Sequence, residues 1–403
     1  MPTAPYNHGI RVFDAGETTR AVQAANLTSV GFVFTAPAAD NSIWPLNEPI
    51  HLFSNDATKV AALGDTGTGK DVIDAIVDQG IIASLVGVRV DEGVDIDATL
   101  SNVVGAAGSM TGVHALKNAR GELGVEPGLL IAPGFTSQRP GDAANPVVAE
   151  MLGVGDRLKA ITIADGPGTT KEDAFTYRQD WPDAGRMYLI DPPVKVWNTD
   201  LSAQVIKPAS ARVAGLFVKR DKQYGGPYWS PSNQAMLGIT GTARPVSYYD
   251  GETDHEANYL NENRIATIIE NGLLWGNETL ALDPLWRFVN VRRTRDAIHK
   301  AIVQSFRWAM DKNLGPHLAV AIIQSLGNFL DELKAVGAII DGRAFWDRDL
   351  NSNESLQSGI LRVEFDAEEA PPLQDLQFGS RRNVLYFDTL AADILEALDQ
   401  RAA

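Results

Sequence analysis

In Lys70-Asp71-Val72-Ile73-Asp74-Ala75-Ile76-Val77-Asp78-Gln79-Gly80-Ile81-Ile82-Ala83-Ser84-Leu85-Val86-Gly87-Val88-Arg89-Val90 the chain passes from helix chemistry to strand chemistry. Lys70–Gln79 has the spacing of a helix and stops at Gly80. Ile81–Val90 is rich in β-branched residues and apolar on both faces, the composition of a strand buried between two layers. Upstream, Val30–Thr35 predicts another strand, Pro45–Leu52 an extended lead-in, and Asp56–Leu63 a short helix capped by Asn55 or Asp56. This is βαβ-like order.

Downstream the alternation continues. Strands are predicted at Leu129–Ala132, Ala160–Ala164, Met187–Ile190 and Val194–Trp197, and helices at Pro146–Arg157, Thr170–Gln179 and Ser202–Arg220. Asp91, Glu92, Asp95 and Asp97 mark a loop, and residues 221–271, rich in Gly, Pro, Asn and Tyr, read as a long irregular region. Trp286–Val291 reads as a strand, Thr294–Lys312 as an amphipathic helix, and Pro316 opens a helix to about Val336. Strict alternation in Leu361–Asp366 predicts a strand with one wet face. Short strands at Asp375–Phe378 and Asn383–Phe387 and a helix at Leu390–Leu398 follow. The fold class is α/β in the mixed α+β sense, a mostly parallel sheet covered by helices.

The 403 residues carry 35 Lys and Arg against 51 Asp and Glu, a net charge of −16 that disfavours general nucleic-acid binding. With no cysteine, thiolate metal sites, disulfides and a cysteine nucleophile are excluded. No basic start followed by an apolar run and no long apolar stretch occur, so neither a cleaved signal nor membrane insertion is expected. Gly64-Asp65-Thr66-Gly67-Thr68-Gly69-Lys70-Asp71 nearly spells a phosphate-binding loop. It offers Asp71 where a hydroxyl is needed for magnesium, and it follows a helix where a strand is needed, so it reads as a turn between helices. The six histidines show no metal-ligand spacing, and no serine lies in a Gly-x-Ser-x-Gly elbow. No catalytic residue, cofactor or metal site is therefore assigned.

One local anomaly stands out. From Arg287 to Lys312, seven cationic side chains face only Asp296 and Asp311. Two readings apply: a helix face paired with the chain's own carboxylates, or a docking surface for an acidic protein.

Taken together, His8–Val12, Pro127–Phe135, Gly226–Asn233, Trp286–Arg293 and the strand-rich tail resemble the tail sheath proteins of contractile-tailed bacteriophages, in the group of P2-like phages and R-type pyocins. The resemblance implies a structural subunit that stacks as hexameric rings around an inner tube and contracts to drive the tube through the host envelope. It implies a core domain built from both chain ends with an inserted outer α/β domain, called subtilisin-like for its fold and not for any protease activity. The expected division is an N-terminal arm at 1–20, core at 21–92, outer domain at 93–272, core again at 273–380, and a C-terminal arm and terminal helix at 381–403.

The resemblance further implies that the arms add strands to a neighbour's sheet. The candidate residues are Gly9, Ile10, Arg11, Val12 and Phe13 at one end and Asn383, Val384, Leu385, Tyr386 and Phe387 at the other, with Arg292, Arg293 and Lys300 as candidate tube contacts. Implied partners are further copies of the chain, a tail tube protein, and baseplate and tail terminator proteins. The implied location is the virion tail, with assembly in the host cytoplasm. The competing class is a soluble α/β hydrolase-like enzyme whose site is assembled from residues distant in sequence.

Overall fold

The computed structural model describes residues 21–22 and 27–402. The expected arm strand Gly9–Phe13 lies outside the described residues.

In chain order the first compact unit, which ends at Pro372, opens with β1 (Val30–Thr35), β2 (Pro49–Phe53), α1 (Ala57–Ala61), α2 (Gly69–Val77), β3 (Ser84–Val90) and α3 (Ile96–Val104). There follow α4 (Ala119–Leu123), β4 (Leu129–Ile131), α5 (Pro146–Leu158), β5 (Ile161–Asp165), α6 (Lys171–Gln179), β6 (Met187–Ile190), β7 (Val194–Asn198), β8 (Ala203–Lys207) and α7 (Ser210–Tyr224). The unit closes with β9 (Gln234–Ala235), β10 (Gly241–Thr242), α8 (Glu256–Glu262), β11 (Ile265–Ile269), β12 (Leu273–Trp275), α9 (Val289–Ser305), α10 (Pro316–Ala335), β13 (Ile339–Phe345), α11 (Asn353–Gln357) and β14 (Glu364–Glu369). The second unit, Leu373–Ala403, contains α12 (Tyr386–Ala402).

A nine-stranded sheet in the order β2-β3-β1-β4-β5-β6-β11-β12-β9 forms the body of the first unit. Its central strands are parallel, with Val30 opposite both Leu85 and Leu129, while β2, β12 and β9 run antiparallel to their neighbours. Alternate residues of β1 serve two cores. Phe32 and Phe34 join Trp44, Ile73, Ile76 and Phe217 under α2 and α7, whereas Val33 joins Val86, Leu100, Val103, Met151 and Val154 under α3 and α5. Burial on both faces explains the continuous apolar composition of these strands. A separate core, with Ile298, Ala301, Phe329, Leu330, Leu333 and Ile339, joins α9 and α10 to the two-stranded sheet of β13 and β14.

The sheet runs across the expected division points. β1 and β3 pair into one ladder with β4, and Ile269 of β11 lies opposite Leu273 of β12, so neither 92/93 nor 272/273 separates two sheets. The acidic cluster read as a loop is in part a helix start: Asp95 caps α3 by accepting the Ala98 N–H at 2.7 Å.

Several local readings are corrected. The expected helix Ser202–Arg220 is a strand, β8, followed by α7, with Pro208 between them. The supposed irregular region 221–271 contains α8 and the buried strand β11. Trp286–Val291 is a 3-10 turn leading into α9. Leu361–Asp366 is displaced to β14, which pairs with an additional strand, β13. Asp375–Phe378 has no regular structure, and Asn383–Phe387 is a turn running into α12. Among the described residues these apolar positions have no strand beside them, and a helix satisfies its own backbone hydrogen bonds where a lone strand leaves them open.

Candidate assembly surfaces

The Gly64–Asp71 loop joins α1 to α2 and is occupied by its own protein. Thr68 donates its N–H to the Thr35 carbonyl at 2.8 Å, and the Thr35 N–H returns a bond to Thr68 Oγ1 at 3.2 Å. Gly67 sits at φ +87° so close to Thr35 that a Cβ there would lie 2.2 Å from its carbonyl oxygen. The concavity that would cradle a phosphate is filled by the end of β1. Lys70 points to solvent and pairs with Asp65 at 3.1 Å. Asp71 is held by Lys207 at 2.5 Å.

The basic stretch is an internal fastening. Arg293 is 2% exposed and makes a two-point bond to Asp221 of α7, at 2.8 and 2.6 Å, with a further bond to the Leu27 carbonyl and its guanidinium over the Phe217 ring. Lys300 is buried against Glu126 at 2.6 Å, and burial pushes its ammonium below its ordinary pKa although the carboxylate opposes this. Arg292 lies 3.7 Å from Asp296, which also receives a two-point bond from Arg186, the residue just before β6. Arg295 reaches Glu369 of β14 at 2.5 Å. Helix α9 is thus bonded through charges to the start of β6, to α7, to β14 and to the segment before β4. Arg293 and Lys300 are buried within the subunit, which counts against the tube-contact reading for these two, while Arg292 is half-buried. The partners Asp221, Glu126, Arg186 and Glu369 lie far away in sequence, where a local charge count carries no signal for them.

The two-stranded sheet is the second feature. β13 and β14 pair antiparallel from Phe345 opposite Glu364 to Ile339 opposite Glu369, with an irregularity at Ile340. Among the described residues neither strand has another partner, so each presents one open edge. Ile340, Phe345 and Trp346 are exposed there. The signal for β13 in the sequence is modest: Gly337 after α10, then Asp341 and Arg343 alternating with Gly342 and Ala344.

The third feature is the second unit. Leu373, Leu376, Phe378 at 86% exposure, Val384, Leu385, Tyr386 and Phe387 are all open to solvent, as are Leu390, Ile394, Leu395 and Leu398 of α12. Such density of exposed apolar side chains marks an interaction surface. Among the described residues, no group of His, Asp and Glu is placed to hold a metal ion, and no helix is long and apolar enough to cross a membrane.

Comparison with known proteins finds matches in one family. Residues 105–277 match the phage tail sheath protein central domain and residues 281–381 the phage tail sheath C-terminal domain. A prophage major tail sheath protein of Pseudomonas aeruginosa is 36% identical over 379 residues, covering 92% of this chain and 95% of that protein. The chain belongs to the phage tail sheath protein family. The tail sheath protein of Escherichia phage P2 is 30% identical over 401 residues, covering 96% and 98% of the two chains. The fold matches the contracted helical sheath of the anti-feeding prophage, with TM-score 0.69, 16% identity and coverage of 94% and 100%. It also matches a PVC sheath complex in the contracted state, with TM-score 0.68, 16% identity and coverage of 95% and 99%.

This sheath chain is a structural subunit of a contractile tail, and the family is not enzymatic. The hydrolase alternative therefore gives way.

Proposed function

We propose that copies of this sheath subunit stack as hexameric rings around an inner tube, bound for a baseplate at one end and a tail terminator at the other. They contract by changing the packing between subunits and drive the tube through the host envelope. The observation that carries the reading is the two-stranded β13–β14 sheet, which packs on α9 and α10 and, among the described residues, leaves one edge of each strand open to a strand from a neighbour. The inner layer is built around α9, α10 and this sheet, with the nine-stranded body outward. The N-terminal arm at Gly9–Phe13 supplies one strand to a neighbour.

At the other end the chain from Ala370 to Leu385, which has neither helix nor strand, is the extended arm, so the exchanged strand expected at Asn383–Phe387 moves upstream. Energy for contraction is stored in assembly as a difference between two packings, with no nucleotide consumed. Deleting residues 1–15 tests the arm. The truncated subunit is expected to keep its circular dichroism and melting temperature and to form no tubes by negative-stain microscopy. Normal sheaths from the truncated chain would overturn the arm, and unfolding would place the strand in its own core.

A further inference from the structure

The C-terminal arm leaves the first unit at the end of β14, and buried residues hold it there. Asn290, in the first turn of α9 and 4% exposed, donates its side-chain amide to two carbonyls from distant parts of the chain, Ala370 at 2.9 Å and Tyr228 at 3.2 Å. Asn and Gln are the side chains that offer two N–H donors on one uncharged nitrogen. One residue back, Glu369 receives a two-point bond from Arg295, further along α9, whose guanidinium also donates to the Ala367 carbonyl at 2.7 Å. The Ala370 N–H is taken by the Ala338 carbonyl at 3.1 Å. Both backbone polar groups of Ala370, the last residue before Pro371 and Pro372, are thus bonded to the body.

The two prolines carry that constraint outward. Each ring fixes its own φ and holds the residue before it in extended backbone, so Ala370-Pro371-Pro372 has little choice of direction. Residues 373–385 contain no proline and include Gly379. The compact first unit ends at the same point, Pro372.

We propose that Asn290 and Arg295 clamp the root of the C-terminal arm and that Pro371 and Pro372 extend the clamped direction as a stiff strut, so that the arm bends beyond Pro372 when subunits change their packing. The inference rests on the reading that this segment links copies of the chain, and adds which residues position the link. A strut held in one direction before association has less freedom to lose on binding, which lowers the subunit concentration needed for assembly.

Residue-resolved hydrogen exchange on the unaltered subunit is expected to show the Ala370 amide at least tenfold more protected than those of Leu373 and Asp375. Asn290→Ala should speed exchange at Ala370 by at least tenfold more than at the amides of β1. Pro371→Ala with Pro372→Ala should keep the circular dichroism and hold the melting temperature within ~2 °C, while raising the concentration needed to form sheaths about fourfold or more. Equal exchange at Ala370 and Leu373, or an Ala370 amide unmoved by Asn290→Ala, overturns the clamp. A double-proline variant that assembles at the unaltered concentration overturns the strut, and so does a larger fall in its melting temperature, which would place the prolines in the fold. The arm reading is tested apart by Leu376→Pro with Gln377→Pro, which removes an N–H from each edge of a strand formed there. If that chain forms no sheaths while the Pro371 and Pro372 variant assembles normally, the arm stands and the strut falls. If it assembles normally too, the arm reading itself fails.

Discussion

Arg293 decides between a surface and a fastening, and its removal has a calculable effect. Its two-point bond to Asp221 is sealed from water, with the side chains 2% and 0% exposed. Breaking such a pair by removing one partner costs about 3–5 kcal/mol, because the other charge stays buried without compensation. Asp221→Leu and Arg293→Met are each expected to lower subunit stability by that amount in urea unfolding followed by tryptophan fluorescence. The double change Arg293→Met with Asp221→Leu removes both charges and leaves an apolar contact with Phe217, so it should cost clearly less than the two single changes added together. A coupling of at least ~2 kcal/mol is expected from the cycle. The fastening is refuted if Arg293→Met stays within about 0.5 kcal/mol of the unaltered subunit, the range for surface substitutions. If that variant also lost tube binding, Arg293 would be a contact residue after all.

Two further outcomes test the local structure. Gly67→Ala, which sets a Cβ against the Thr35 carbonyl at a positive φ, should destabilise the subunit by more than ~1 kcal/mol, whereas Lys70→Ala at the exposed end of the same loop should stay within ~0.5 kcal/mol in the same urea titration. Burial first, then Lys117 near His114 and Lys159 and Arg295 near His299, hold both imidazoles below the ordinary 6.5. In the window from those lowered values up to 6.5 the unfolded chain binds more protons, so stability rises with pH there and falls as pH drops through it. Melting temperatures between about pH 5 and about pH 7 should show this slope, and His114→Gln with His299→Gln should flatten it; an unchanged slope in the double variant refutes the assignment.

Much of the body was legible because its signals are local. β1 matches its predicted Val30–Thr35, α2 nearly coincides with Lys70–Gln79, and α5 and α10 start at the prolines that mark them. Asp56 caps α1 as its chemistry suggests. The assembly surfaces were less legible. The basic stretch was visible as an excess, but nothing in Arg287–Lys312 reveals that Asp221, Glu126 and Glu369 come to meet it.

By itself the sequence determined the alternation of strands and helices, the burial of the central strands on both faces, the failure of the glycine loop as a nucleotide site, and the likeness to tail sheaths. Each rests on residues close together along the chain, where spacing and residue type act directly. Tertiary structure alone decided which charges face water and which are bonded inside, that one sheet spans the expected division points, and that β13 pairs with β14. It also decided that Val384–Phe387 turns into helix. A strand needs a partner supplied from elsewhere, and a charge takes its role from whatever the fold brings within a few ångströms of it.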